Sequence, residues 1–187
     1  MSELDFSTLS LLRKEDLRLL LCSLREDTNQ PNNLSARNVR NAKKWARAAN
    51  LVDTKGLTEL GKVVICNDPN LEAVVTDWVI HFQLSLSNHP LYNYFVYDYV
   101  KNHYQIKENN LAVSTTKAIR LLTSIYTESE ALAKCKFIIK DGKGFSLGTP
   151  DLTNSCTIAY LLAEIWMRDY PDNRSLLVDD ILSLTIK

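Results

Sequence analysis

The chain contains little glycine, little proline and no long apolar run, and each shortage excludes a class of protein. Its 187 residues include only five glycines and five prolines, too few for a collagen-like, linker-rich or all-β sandwich chain. No apolar run approaches the roughly 18 to 20 residues that are needed to span a bilayer. Residues 1–5 are acidic and lack the basic stretch that opens a secretory signal. We therefore expect a soluble, cytoplasmic protein that does not insert into a membrane.

An excess of charge of one sign is also missing. Lys plus Arg and Asp plus Glu each number 22, so the formal net charge is zero. The whole molecule therefore has no field that attracts a nucleic acid or an anionic membrane, and any electrostatic inference has to be local. The apolar fraction of 45% and the charged fraction of 24% are those of an ordinary globular domain.

The cysteines and histidines do not have the spacing of a metal or redox site. The cysteines stand at positions 22, 66, 135 and 156, with no C-x-x-C pair and no histidine at zinc-finger spacing. Residues 144–148 match the G-x-S-x-G nucleophile elbow, whose histidine base follows the serine in sequence. The three histidines of this chain, His81, His89 and His103, all precede it. We therefore predict no metal, no cofactor and no catalytic activity.

The spacing of apolar residues predicts a mainly α protein. One helix is expected over most of residues 1–25, and a second, capped by Ser35, over about residues 36–49. Asp68 and Pro69 have the residue types of an N-cap and a first helical position, so a third helix is expected to begin there. Further helices are predicted from about residue 90, from Ser114, over 129–135, after Asp151 and from Ser175.

Two β-hairpins are predicted between the helices. The first has short arms at residues 51–52 and 57–61, on either side of the glycine-containing segment 53–56. The second lies near residues 136–148, around Asp141-Gly142, whose residue types suit a type I′ turn.

The expected fold is mainly α, with a winged helix-turn-helix unit packed on a C-terminal helical unit that carries the second β-hairpin. The expected domains are a winged-helix-like unit at 1–66 and a helical unit at 67–187. No Pro/Gly/Ser-rich linker separates these two parts, so one continuous domain is the alternative.

The strongest signal for function is the predicted helix at residues 36–49. No acidic residue occurs from Thr28 to Val52. A basic helix followed at once by a small hairpin is typical of a winged helix-turn-helix, whose helix enters the major groove of double-stranded DNA. Arg and Lys neutralise phosphates, and Asn can read an adenine edge. The predicted phosphate contacts are Arg37, Arg40, Lys43, Lys44 and Arg47, with Asn38 and Asn41 as base readers and Lys55 as a contact from the hairpin.

A dense group of tyrosines lies near the middle of the chain. It includes Tyr92, Tyr94, Tyr97 and Tyr99. A platform that stacks single-stranded bases carries interleaved cations, and Lys101 is the one cation within this group. Helix packing with hydroxyls at the rim is the favoured interpretation, and a protein interface is the next. The alternative to DNA binding is therefore an adaptor without catalytic activity, which docks a protein partner or forms a homodimer through this face.

Several segments between Asn33 and the C-terminus resemble one uncharacterised family. Residues 38–52, 57–61, 68–72 and 76–81 read N-V-R-N-A-K-K-W-A-R-A-A-N-L-V, L-T-E-L-G, D-P-N-L-E and T-D-W-V-I-H. They are similar to the bacterial "domain of unknown function 4007" family, which has a basic helix opened by Asn, a Leu-Thr-x-x-Gly step and an Asp-Pro-x-Leu-Glu segment leading into Trp-x-x-His. The resemblance implies a DNA-associated accessory protein of a DNA modification or defence system, and it carries over no catalytic residue. Together with the basic helix, it favours a DNA-binding accessory or regulatory protein over an adaptor.

Overall fold

The computed structural model describes residues 10–28, 31, 33–87, 90–99, 113–142, 144–149, 154–177 and 179. Over these residues the chain is mainly helical, as predicted, and has one antiparallel sheet of two strands. The α-helices are α1 (Lys14–Arg25), α2 (Ala36–Ala48), α3 (Glu59–Asn67), α4 (Val74–Leu86), α5 (Pro90–Asn93), α6 (Val113–Thr127) and α7 (Ser155–Asp169). A π-helical turn covers Tyr94–Tyr99, a 3₁₀ turn covers Ala133–Cys135, and the strands are β1 (Ile138–Asp141) and β2 (Gly144–Leu147). The chain divides into two compact units, Met1–Pro150 and Asp151–Lys187.

Helices α1 and α2 pack against each other through apolar faces that recur at helical spacing. The buried leucines of α1 are Leu17, Leu20 and Leu21. On α2, Trp45 is fully buried, and its indole Nε1 donates a hydrogen bond to Ser10 O at 3.1 Å. This packing fixes which side of α2 faces the core and leaves the opposite side in water.

Helix α2 begins where the sequence predicts it. The Ser35 hydroxyl accepts the Asn38 N–H at 3.1 Å, which satisfies one of the free donors of the first turn. Past the other end, Asn50 has a φ of 55°, a left-handed conformation that Asn tolerates better than most residues. Both ends of the basic helix are therefore defined by local chemistry.

The first predicted hairpin is wrong in its second arm. Thr58 caps a helix instead: its Oγ1 accepts the Gly61 N–H at 3.0 Å, and its hydroxyl donates to Asn50 O at 2.6 Å. The predicted arm therefore enters α3, and the segment forms a single antiparallel bridge between Val52 and Leu57. A capped helix satisfies the backbone groups of this segment within a few residues, so no longer strand pair is needed.

The helix predicted to begin at Asp68 begins at Val74 instead. Leu71 has a φ of 54°, a left-handed conformation through which a right-handed helix cannot continue. Asp68 nevertheless supports the entry to α4, because its carboxylate accepts the N–H groups of Glu72 and Ala73 at 2.9 and 2.8 Å. The sequence thus identified a capping side chain but not the loop that it closes.

The second predicted hairpin is confirmed, but its turn begins one residue later than predicted. Strands β1 and β2 pair antiparallel in a register that places Ile138 opposite Leu147 and Asp141 opposite Gly144. Asp141 is therefore the last residue of β1 and not a turn residue. Gly142, which follows it, has a φ of 57°, a left-handed conformation that glycine adopts without strain.

One apolar core runs through the first unit, with members from Leu12 to Ile138. Its largest fully buried side chains are Trp45, Tyr92, Tyr126 and Phe95. These four residues come from both sides of position 66, where the sequence suggested a domain boundary. The second compact unit begins at Asp151.

The second unit contains α7. Asn154 caps this helix, with its Oδ1 accepting the Thr157 N–H at 3.0 Å. The helix ends at Asp169, two residues before Pro171. The terminal helix predicted from Ser175 falls mostly outside the described residues. Among the described helices, none has both the length and the apolar character that a membrane span requires.

Candidate nucleic-acid interface

Helix α2 presents its cations on the side opposite to its buried face. These cations are Arg37, Arg40, Lys43, Lys44 and Arg47. At 100° per residue they fall within an arc of about 120°. The middle of this arc lies opposite Trp45 and Ala46, which are both fully buried. At 1.5 Å per residue the arc runs for about 15 Å along the helix.

Four of these cations are exposed and have no partner in the described part of the chain. They are Arg37, Arg40, Lys43 and Arg47. The ion pairs of Glu130, Asp77, Glu15, Glu59 and Asp169 are formed with other cations. Lys44 differs, because it is half-buried and takes part in an interaction within the chain. Since no described carboxylate neutralises the four exposed cations, the face keeps a local positive potential in a chain of zero net charge.

Asn41, predicted to read bases, faces the interior instead. The residue as a whole is only 8% exposed to solvent. Its Oδ1 accepts the Ser10 N–H at 3.2 Å, and its Nδ2 donates to Leu11 O at 3.4 Å. The amide therefore ties the segment before α1 to α2, and we remove Asn41 from the set of base-reading candidates.

Asn38, the other predicted base reader, is half-buried. Its side chain lies beside the Asp16 carboxylate on α1. Burial raises the pKa of Asp16, against the opposing effects of nearby Arg13 and of Asn38. Asn41 is thus bound to groups of the chain itself, and Asn38 has an acidic neighbour.

The turn after α2 carries the remaining predicted DNA contact. Asp53 Oδ1 accepts the N–H groups of Lys55 and Gly56 at 2.6 and 3.0 Å, so a side chain closes this turn. The Lys55 side chain is exposed and has no partner among the described residues. It therefore adds one more accessible cation to the segment that directly follows the basic helix.

The tyrosines predicted as a protein interface have different environments. Tyr92 is fully buried, and its hydroxyl forms a hydrogen bond with the Tyr126 hydroxyl. Tyr94 is half-buried, Tyr97 is 42% exposed, and the Tyr99 side chain lies outside the described set. Core packing therefore accounts for Tyr92, and Tyr97 is the exposed member among the described side chains.

A buried polar network surrounds His81, which the sequence did not reveal. His81 Nδ1 lies 2.7 Å from the Tyr126 hydroxyl oxygen. Its ring centroid is 4.4 Å from that of Phe137 and 5.5 Å from that of Trp78. Burial lowers the pKa of His81 to about 3, and burial also raises the pKa of Tyr126. These enclosed, neutral groups join α4 to α6 and are not placed to meet a substrate.

A polar cleft of about 450 Å³ is lined by the start of α1 and by the loops at 70–72 and 129–134. Next to it, Lys14 Nζ donates to Asp77 Oδ1 at 2.7 Å, and Asp77 is fully buried. In the part of the chain that the structure describes, no three His, Cys, Asp or Glu side chains are grouped so that they could hold a metal ion. The Lys14–Asp77 pair therefore links α1 to α4 beside the cleft.

No family model matches the chain, and no curated protein and no solved structure matches it either. The resemblance to the "domain of unknown function 4007" family therefore rests on the sequence pattern alone.

Proposed function

We propose that the chain binds double-stranded DNA through the basic face of α2, as an accessory or regulatory protein. The observation that carries this proposal is the set of four exposed cations that have no partner in the described chain. Such a face neutralises phosphates and releases their counterions. Its length of about 15 Å is comparable with the roughly 12 Å width of the major groove, so its cations are spaced over a distance on which phosphates of both strands occur.

The same proposal treats α1, α2 and the bridged segment 52–57 as a reduced winged helix-turn-helix. In support, α1 packs against α2, and the segment with Lys55 follows α2 directly. Lys55 then contacts the DNA backbone beside the groove that α2 enters. The family resemblance adds a DNA modification or defence system as the proposed setting.

Replacing both Arg40 and Lys43 by alanine should weaken duplex binding and reduce its salt dependence. If four phosphates are neutralised, log affinity is expected to fall with log salt with a slope of about −3.6, and two lost contacts should bring this slope to about −1.8. Both side chains are exposed, so the variant should fold normally. Fluorescence anisotropy of a labelled duplex over a series of salt concentrations measures both slopes.

Lys117 and Lys140 provide a matched control. Both are exposed cations outside α2, so a variant with both replaced by alanine has the same change in net charge and should bind DNA like the wild type. An equal loss of affinity in the two double variants would contradict a specific role for α2. A wild-type protein that does not bind duplex DNA, or binds it independently of salt, would also refute the proposal.

An adaptor that docks a protein is the second candidate, and the exposure of Tyr97 is the observation that favours it. Its side chain is 42% exposed, and tyrosine is enriched at protein interfaces. A stoichiometric partner that co-purifies with the chain, together with no measurable DNA binding, would favour this function. Binding of duplex DNA with the expected salt slope would favour the first.

A further inference from the structure

The side chains that read base edges are not the ones that α2 exposes. An asparagine recognises adenine by accepting a hydrogen bond and donating one at the same time. Asn41 already does both inside the protein, with Ser10 N–H as its donor and Leu11 O as its acceptor. Since Asn41 is also buried, it can reach a base only if the contact between α2 and the segment before α1 opens.

Asn38 is less accessible than the cations, because it is half-buried and lies beside the Asp16 carboxylate of α1. That carboxylate would repel a phosphate brought close to Asn38. Neither asparagine of the basic helix is therefore well placed for sequence recognition, since Asn41 is bound inside the protein and Asn38 has an acidic neighbour.

What remains at the surface is suited to phosphates. Arg37, Arg40, Lys43 and Arg47 are exposed, with no partner in the described chain. An arginine that selects guanine has to be held in a fixed orientation by surrounding groups. A cation without such support takes whichever phosphate is nearest, and contacts to phosphates carry no sequence information.

We infer that the basic face of α2 binds the duplex through its phosphates alone, and so binds DNA of any sequence with nearly equal affinity. This inference rests on the proposed function and specifies its substrate as the DNA backbone. The protein would therefore be placed on a particular site by another component or by a DNA end, and not by its own reading of bases.

Selection from a library of random duplexes of one length tests this inference. We expect no motif to be enriched, and we expect A·T-only, G·C-only and mixed duplexes to bind within about twofold of one another at the same salt concentration. An enriched motif that binds tenfold or more tightly than the unselected library would overturn the inference while leaving DNA binding intact. Failure to bind every duplex would instead refute the proposed function and the inference together.

The Asn38→Ala variant gives an independent readout. Because Asn38 is half-buried and near the start of α2, the variant should still fold, which circular dichroism checks. Its affinity for each duplex should stay within about twofold of the wild type. Loss of a bidentate base contact would lower affinity for the preferred sequence at least about fivefold, and that result would contradict the inference. If the variant does not fold, the library selection on the wild type decides.

Discussion

His81 lies in a site that favours its neutral form. It is enclosed by the rings of Trp78, Tyr126 and Phe137, and burial lowers its pKa from 6.5 to about 3. In the unfolded chain the same side chain keeps a pKa near 6.5. Between these two values the unfolded state binds the extra proton. The stability that the neutral His81 contributes is therefore fully present above about pH 6.5 and is lost as the pH falls toward 3.

Replacing His81 by Gln should remove this part of the acid sensitivity. The wild-type free energy of unfolding is expected to fall by up to about 1.4 kcal/mol per pH unit below pH 6. Gln can still form a hydrogen bond with Tyr126 but does not titrate, so the variant should have a flatter profile between about pH 6 and 4. Urea unfolding at each pH measures both profiles. Equal slopes in the two proteins would show that other groups cause the loss of stability in acid.

Exposure could be predicted at the residue scale, but interaction partners could not. The outward position of Arg40 and Lys43 follows from the helical period and the apolar residues between them. The bond from Tyr126 to His81 spans 45 residues, and the bond from Ser10 to Asn41 spans 31. No local pattern encodes contacts over such distances. The sequence therefore indicated that these two cations face the solvent but could not show that Asn41 is already bound.

At the scale of elements, α3 approaches the preceding segment so closely that only glycine fits at position 61. A Cβ on Gly61 would lie 2.0 Å from Leu51 O. That carbonyl also accepts the Thr58 N–H at 3.1 Å, so the backbone cannot move away without breaking this bond. The contact places the start of α3 against the segment that follows the basic helix.

Replacing Gly61 by Ala should destabilise the protein, although Gly→Ala within a helix usually stabilises by about 1 kcal/mol. The clash with Leu51 O is expected to reverse the sign and reduce the free energy of unfolding by about 1 to 3 kcal/mol. Val63, which is 58% exposed in the same helix, provides the control, and Val63→Ala should change stability by less than about 0.5 kcal/mol. Urea unfolding compares the variants. Equal stability of the two would contradict the close approach at Gly61.

The ends of helices and strands could be predicted where they depend on residues that are close in sequence. The second hairpin and the Ser35 cap follow from the conformations and hydrogen bonds of a few residues, and both were predicted correctly apart from a shift of one residue at the hairpin turn. The entry to α4 could not be predicted in the same way. The left-handed conformation of Leu71 is unfavourable for leucine and is imposed by the surrounding fold. Because the sequence gives no sign of it, the start of the helix was predicted at Asp68 and not at Val74.

At the scale of the whole molecule, Asp77 joins three parts of the first unit. Its carboxylate accepts hydrogen bonds from Lys14 Nζ at 2.7 Å and from the Lys134 N–H at 3.1 Å, across 63 and 57 residues of sequence. A buried ion pair adds little net stability, because desolvation offsets the attraction between the charges. Removing one partner is nevertheless costly, since the other charge stays buried alone. The pair therefore constrains how α1, α4 and the 3₁₀ turn meet.

Replacing Lys14 by Met should reduce the free energy of unfolding by about 3 to 5 kcal/mol, because the Asp77 carboxylate then lacks its cation. Replacing Asp77 by Leu as well removes the unpaired charge, so the double variant should be more stable than Lys14→Met alone. Urea unfolding of the two single variants and the double variant measures the coupling, expected to exceed about 1 kcal/mol. Lys62→Met, at an exposed ion pair with Glu59, should cost less than about 1 kcal/mol. Strictly additive losses at Lys14 and Asp77 would mean that the apolar core alone holds α1 against α4.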